Sequence, residues 1–207
     1  MKRFVNYLGQ LRVYSLVDLV LLVAVVSSDW WQGMGAICLW VGFLLFLEAR
    51  HKHSYRAEFP KFLWGAFYLV GLVLYRHPEG YIFVLLTYIY TLKTRAWFGS
   101  ISPLVRGLQN FVLGAGIVGY YNPITWLAFA LTVLRNFLGD VRDVAKDREE
   151  GMRTLPVLLG LKRGSQYIHL YGVMATSAVW WSFSELHWGI LLLIWLIQIT
   201  TYNLTPR

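Results

Sequence analysis

Long apolar runs, broken only by short turns or by clusters of charge, recur along the whole chain, and they leave few folds open. Such a run has no polar face to turn to water, so it belongs in a protein core or in a bilayer. With 57% of 207 residues hydrophobic, too little polar surface remains to keep a chain of this size in solution. The 10 tryptophans and 13 tyrosines point the same way, because these residues gather where a membrane meets water. The runs predict about eight spans, at 13–29, 32–48, 61–75, 80–93, 107–121, 123–139, 166–184 and 187–203. Several are shorter than the ~20 residues that cross hydrocarbon at 1.5 Å per residue, which leaves a re-entrant pair open. The expected architecture is all-α: a polytopic transmembrane helical bundle forming a single domain over residues 1–207.

Lysine and arginine are sorted between alternate connections. The start of the chain (Lys2, Arg3, Arg12), the segments 48–61 and 93–106, and the long stretch after Gly139 are basic. The connections 28–33, 76–80, 120–123 and 184–188 hold only Arg76. Positive charge stays on the cytoplasmic side, so both termini and the acidic segment described next are expected there. The net charge of +8 then reflects topology and attraction to anionic lipid head groups, and no patch of mixed basic and stacking residues points to nucleic acid. The basic, amphipathic start MKRFVNYLGQLRVYS is not expected to be cleaved, and the lone Cys38, inside an apolar run, excludes a disulfide.

Against this background, the run from Arg135 to Gly160, RNFLGDVRDVAKDREEGMRTLPVLLG, carries more charge than a lipid-soluble chain retains without use. On a helix Asp140, Asp143 and Asp147 stand at i, i+3 and i+7 and share one face, while Arg142, Lys146 and Arg148 point elsewhere around the same turns. A carboxylate stripe suits a hard divalent cation, above all Mg²⁺, which binds one or two protein carboxylates and completes its shell with substrate phosphates. The competing reading is a solvated loop with capping aspartates.

The same stretch resembles the second aspartate-rich motif of the UbiA superfamily, the intramembrane prenyltransferases that join an isoprenoid diphosphate to an aromatic or other acceptor. The likeness lies in the spacing of Asp140, Asp143 and Asp147, in Arg148 and Gly151, and in Arg153, Thr154, Leu155 and Pro156 opening the next element. Tyr88 to Lys93 is similar to the family's Tyr/Lys element, and Arg12 to Asp18 to the start of its first helix. The resemblance implies Mg²⁺ as cofactor, an isoprenoid diphosphate and a hydrophobic acceptor as substrates, and a family site in which two acidic motifs hold two metals. Where the first motif is expected, Leu47 to Arg56 keeps a single carboxylate, Glu48, as a further metal ligand, and His51 and His53 are open to a ligand role or to a wet loop. The bundle is expected to be one helix shorter than usual.

Departure of pyrophosphate needs cations at one end of a site and a dry pocket at the other. Lys93, Arg95, Arg106, Lys146 and Arg153 are candidates for the cations, with Tyr88 beside them. Asn110 is open to substrate binding or to gluing helices, and Asp18 to function or to a pair with Arg12. Gly107, Gly114, Gly116 and Gly119 suggest close helix packing, Trp30, Trp31, Trp180, Trp181 and Trp188 an interfacial belt, and Phe111, Trp126 and Phe129 either a tunnel lining or core. The function expected is polyprenyl transfer in the membrane. The alternative is a non-catalytic relative that binds an isoprenoid, quinone or pigment, or serves as a subunit beside a partner membrane protein. A cation relay is disfavoured, because the acids sit at the membrane edge.

Overall fold

The computed structural model describes residues 27–50, 60–94, 98–161, 168–183, 185 and 187–204. Among them every regular element is helical. The helices are α1 (Trp30–Arg50), α2 (Lys61–Tyr75), α3 (Glu79–Tyr90) followed by a 3-10 turn at Thr91–Thr94, α4 (Phe98–Val118), α5 (Pro123–Arg142), α6 (Val144–Glu149), α7 (Leu155–Leu158), α8 (Ile168–Phe183) and α9 (Trp188–Leu204). Seven of the predicted runs coincide with the longer helices, and the run 13–29 falls almost wholly outside the described residues, as do Arg12, Asp18, His51, His53 and Arg95. Among the described residues three helices, α1, α4 and α5, are long and apolar enough to cross a membrane. The 21 residues of α1 or α4 span about 31 Å at 1.5 Å per residue, close to the hydrocarbon thickness of ~30 Å. The apolar part of α2, Phe62–Tyr75, is shorter.

The chain divides into two compact units, one of residues up to Val84 together with those from His187 onward, the other Leu85–Leu186. In the first unit α1 and α2 pack as a pair. Asp29 starts α1 by accepting the Trp31 amide at 2.8 Å on Oδ1, which answers one of the amides that a helix start leaves without a partner. The pair closes through glycines: a Cβ on Gly35 would strike the Tyr75 backbone, and one on Gly71 would lie 2.8 Å from the Leu39 amide nitrogen. Around this contact Trp40, Phe43 and Phe83 form a buried aromatic cluster with centroids 5.6 to 6.3 Å apart.

In the second unit α5 packs against α4 and α8. Asn122 caps α5 by accepting the Ile124 amide at 2.9 Å, and Pro123 takes the first helical position, where no amide is needed. The expected close packing at Gly107 is present, since a Cβ there would meet Val133 and Phe129. Gly119 does something else: a methyl added there would have no neighbour within 4 Å, and the residue adopts a left-handed φ of +94° in the turn between α4 and α5. Trp180 also departs from expectation. It is buried, whereas Trp181 is exposed, because successive helical residues point about 100° apart and both cannot face lipid. Phe111, Trp126 and Phe129 meet edge to face with centroids 4.8 to 6.2 Å apart.

The largest difference from the sequence reading is at the start of α4. The basic residues of 93–106 mark it as a connection, yet the helix begins at Phe98. Pro103 lacks the amide that would bond the Gly99 carbonyl four residues back, and the Ser102 hydroxyl donates to that carbonyl instead, at 3.0 Å.

Candidate active site

The three aspartates sit where α5 runs into α6. Backbone bonds from Asp143 to the Gly139 carbonyl (3.0 Å) and from Asp147 to the Asp143 carbonyl (2.8 Å) carry the helical spacing across the junction. Asp143 itself departs from helical geometry, with φ −92° and ψ 9°. The stripe therefore persists, with Asp140 and Asp147 buried and the Asp143 side chain about a third exposed.

Each carboxylate is met by a group of this chain. Lys93, at the end of the 3-10 turn after α3, donates from Nζ to Asp140 Oδ1 at 2.7 Å. Arg142 grips Asp143 with both arms of its guanidinium, Nε to Oδ1 and Nη2 to Oδ2, each at 2.6 Å. Helical spacing alone points Arg142 away from the stripe; the non-helical backbone at Asp143 lets two adjacent side chains converge. Asp147 accepts the Thr154 hydroxyl on Oδ2 at 3.1 Å.

Thr154 returns to Asp147 because α6 ends in a tight reversal. Gly151 takes a left-handed φ of +70°, its amide bonds the Arg148 carbonyl at 3.1 Å, and the Met152 amide bonds the Asp147 carbonyl at 2.8 Å. This is the Schellman arrangement, which favours glycine because a side chain at positive φ is strained. The same pattern closes α7 at Gly160, with φ +76° and Leu161 bonded to the Pro156 carbonyl at 3.1 Å. The returning strand of backbone is held against α4: a Cβ on Gly99 would lie 2.8 Å from the Arg153 carbonyl oxygen.

A second polar layer lies behind Lys93. Buried Arg106 donates to Gln109 Oε1 at 2.6 Å, Gln109 donates to the Thr87 hydroxyl at 2.7 Å, and the guanidinium stands 5.4 Å from the centre of the Tyr90 ring. Asn110 donates to the Thr132 hydroxyl, bridging α4 and α5, so it does act as interhelical glue.

The electrostatics follow from this crowding. Burial, then the charges of Asp140 and Asp143, outweigh Lys93 and the Thr154 hydrogen bond, and Asp147 is pushed up to about 6. Burial lowers the Lys93 pKa, but Tyr90, Asp140 and Asp147 together raise it above the ordinary lysine value, so its ammonium persists at neutral pH.

The structure thus brings together Lys93, Asp140, Asp143 and Asp147, while Arg106 is engaged with Gln109 and the Tyr90 ring and Asn110 with Thr132. Tyr88 is exposed, Lys146 pairs with Glu150 at 3.8 Å on the outer face of α6, and the Arg153 side chain is exposed. Glu48, at the end of α1, belongs to the other unit. Sequence reasoning missed Gly99, Gln109, Thr87 and the Arg142 fork. Thr154 is legible as part of the motif but not as a partner of Asp147, and Gly151 three residues before it is the available signal.

Among the described residues no three histidine, cysteine or acidic side chains gather as a ready-made metal cage. The donor set still fits Mg²⁺ bound through one or two carboxylates with phosphate oxygens completing the shell, since Asp140, Asp143 and Asp147 offer hard oxygen ligands on successive turns.

These features define the class: an all-α membrane protein with a carboxylate and lysine site at a helix junction. The chain is similar in sequence to digeranylgeranylglyceryl phosphate synthases, which are prenyltransferases of the UbiA superfamily. It is 30% identical over 118 residues to the digeranylgeranylglyceryl phosphate synthase of Pyrococcus abyssi, a match covering 52% of this chain and 43% of that one. The synthase of the same name from Halobacterium salinarum is 37% identical over 99 residues (45% and 35%), and that from Thermococcus gammatolerans 27% over 129 (56% and 47%). The chain thus spans less than half the length of these relatives. No family model matches it, and no solved structure matches it significantly.

Proposed function

We propose that this protein transfers a polyprenyl group from an isoprenoid diphosphate to a hydrophobic acceptor in the membrane, with the diphosphate bound at the α5–α6 junction. The observation that carries this reading is the buried arrangement of Lys93 on Asp140 beside Asp147 and Thr154, at the end of an apolar helix long enough to span a bilayer. The relatives are named for a glyceryl phosphate product carrying geranylgeranyl groups, which supports a glyceryl phosphate lipid as acceptor. The basic connections favour a site on the cytoplasmic side, where soluble phosphate substrates are found.

Bound Mg²⁺ would neutralise the diphosphate and stabilise pyrophosphate as it departs. Asp147 would hold the metal, with Asp140 and Asp143 beside it. Lys93, whose ammonium persists at neutral pH, places fixed positive charge next to the leaving group. Arg153, exposed where the backbone packs on Gly99, reaches outward to the phosphate as it arrives. Thr154 orients Asp147. The Arg106 layer fixes Tyr90 and the turn that carries Lys93.

The test is turnover by the purified chain in lipid nanodiscs, with geranylgeranyl diphosphate, geranylgeranylglyceryl phosphate and Mg²⁺. The expected result is Mg²⁺-dependent product that falls at least a hundredfold in Asp147→Asn. No product over a broad panel of donors and acceptors, together with prenyl diphosphate binding that ignores both Mg²⁺ and the substitution, would instead establish a lipid-binding relative without catalysis.

A further inference from the structure

Leu155, Leu158 and Leu159 stand at i, i+3 and i+4 on the short helix α7, and all three are exposed, Leu159 by 66%. Leu161, just past the helix, is exposed as well. The inward side of the same turn is taken by buried Thr154 and Pro156. A connection that met only water would carry polar residues on its outer side, yet none stands between Thr154 and Lys162 in the sequence. A contiguous apolar patch with a polar rim marks a contact surface.

The rim nearest the leucines is basic. Arg153 precedes Thr154, and Lys162 and Arg163 follow Leu161 in the sequence. The exposed Arg148 donates from Nη2 to the Leu161 carbonyl at 2.5 Å, which brings its guanidinium to the leucine end of the turn. The acids Glu149 and Glu150 lie on α6 and its cap, where Glu150 pairs with Lys146. The patch also stands at a definite level. It packs on α4 and α5, and a Cβ on Gly99, the second residue of α4, would lie 2.8 Å from the Arg153 carbonyl oxygen. Since the 21 residues of α4 match the thickness of the hydrocarbon, the start of α4 marks the membrane boundary, and α7 lies level with it. A second copy of the chain fits this surface poorly, because a twofold contact would set the same basic rim against itself.

We infer that α7 is an interfacial lipid contact: its leucines enter the acyl boundary of the bilayer, and the basic rim, Arg148 foremost, takes anionic lipid head groups. Exposed leucines beside arginine and lysine are what such a contact requires. The contact is independent of prenyl transfer, and through the Thr154 hydrogen bond it ties Asp147 to the membrane surface.

Spin labels test it. In a Cys38→Ala background, the full chain is labelled singly at Leu158→Cys or Leu159→Cys and placed in nanodiscs of phosphatidylcholine, with or without phosphatidylglycerol. Leu104→Cys on α4 serves as the lipid reference and Glu149→Cys as the aqueous one, with gel filtration to confirm folded protein. Power saturation then compares relaxation by oxygen, which partitions into lipid, with relaxation by a water-soluble nickel chelate. The oxygen-to-nickel ratio at both leucine positions is expected to exceed that at Glu149 by at least about threefold, and to rise about twofold further with phosphatidylglycerol at low salt. The further rise is expected to vanish in Arg148→Gln and to survive in Arg148→Lys. A nickel accessibility equal to that at Glu149 would place α7 in water, and exclusion of both reagents would place it against protein; either result overturns the lipid contact. Ratios that ignore phosphatidylglycerol and Arg148→Gln would overturn the anionic preference.

Discussion

Removing the Lys93 ammonium should destabilise the fold far more than removing a surface charge, and a double-mutant cycle with Asp140 isolates the reason. The Nζ to Oδ1 distance is 2.7 Å, and the side chains are 21% and 7% exposed. At an effective dielectric of 20 the bare attraction at that distance is about 6 kcal/mol, and much of it repays the desolvation of both ions. The net value of the pair is therefore modest, but Lys93→Met alone leaves the Asp140 carboxylate buried beside Asp147, with the ammonium that offset both gone. Breaking a buried pair in this way costs about 3–5 kcal/mol, and the low end applies because Lys93 keeps some contact with water. With about 2–4 °C lost per kcal/mol for a chain of this size, the melting temperature in detergent should fall by roughly 6–12 °C. Asp140→Asn should cost less, because a neutral amide tolerates burial better than a carboxylate that has lost its ammonium. The double variant should cost less than the sum of the singles, by about 2 kcal/mol. The assay is thermal unfolding of all four proteins in one detergent, followed by intrinsic tryptophan fluorescence. A coupling below about 0.5 kcal/mol, the level of an exposed pair, would refute the claim that this contact is a buried structural charge pair.

Metal-free protein should show a stability slope set by Asp147. Its pKa is raised from 3.8 to about 6, so the folded state holds the proton more tightly than the unfolded chain; that stability is complete below pH 3.8 and is lost as pH rises through about 6, a change of about 3 kcal/mol. Asp147→Asn should flatten the slope in melting curves recorded with chelator, and an unchanged slope would place the titrating group elsewhere. Gly99→Ala should push the Arg153–Thr154 backbone outward, since the new methyl would sit 2.8 Å from a carbonyl oxygen. Overpacking of this kind costs about 1–3 kcal/mol, and Mn²⁺–pyrophosphate affinity should fall at least fivefold; unchanged affinity would mean that Thr154 does not orient Asp147. Gly151→Ala should cost about 1–2 kcal/mol through its positive φ of +70°, read as a lower melting temperature, with Gly139→Ala, whose new methyl would meet nothing within 4 Å, as a milder control.

Helix existence was legible in the sequence because apolar runs of membrane length have few alternatives, and α1, α2 and α5 lie within a few residues of the predicted runs. The start of α4 was not legible. Its basic residues mark 93–106 as a connection, whereas the helix itself supplies the Gln109 oxygen to Arg106 and the Ser102 hydroxyl to the Gly99 carbonyl that Pro103 leaves without an amide, and the bundle adds the Tyr90 ring. The acid stripe was legible as a face because helical spacing alone sets it. Its partners were not: Lys93 lies 47 positions from Asp140, and nothing local relates the two.

The same contrast explains why the stripe misleads when counted as charge. In sequence the three aspartates look like three interchangeable ligands, and the flanking Arg142 and Lys146 look like solvated neighbours. A one-residue departure from helical geometry at Asp143 makes Arg142 a fixed counter-ion, while Lys146, four residues from Glu150 on regular helix, remains a surface partner at 3.8 Å. Two cations of equal formal charge thus acquire different roles through backbone conformation. The net charge available to a ligand at this junction is set by Asp147 and whatever joins it, not by the count of carboxylates. A cation that arrives with diphosphate meets one acid held by a neutral hydroxyl and two that already carry ion-pair partners. On that arrangement, affinity for the metal alone should be weak and affinity for the metal–diphosphate pair strong, because phosphate oxygens must supply the ligands that the protein does not.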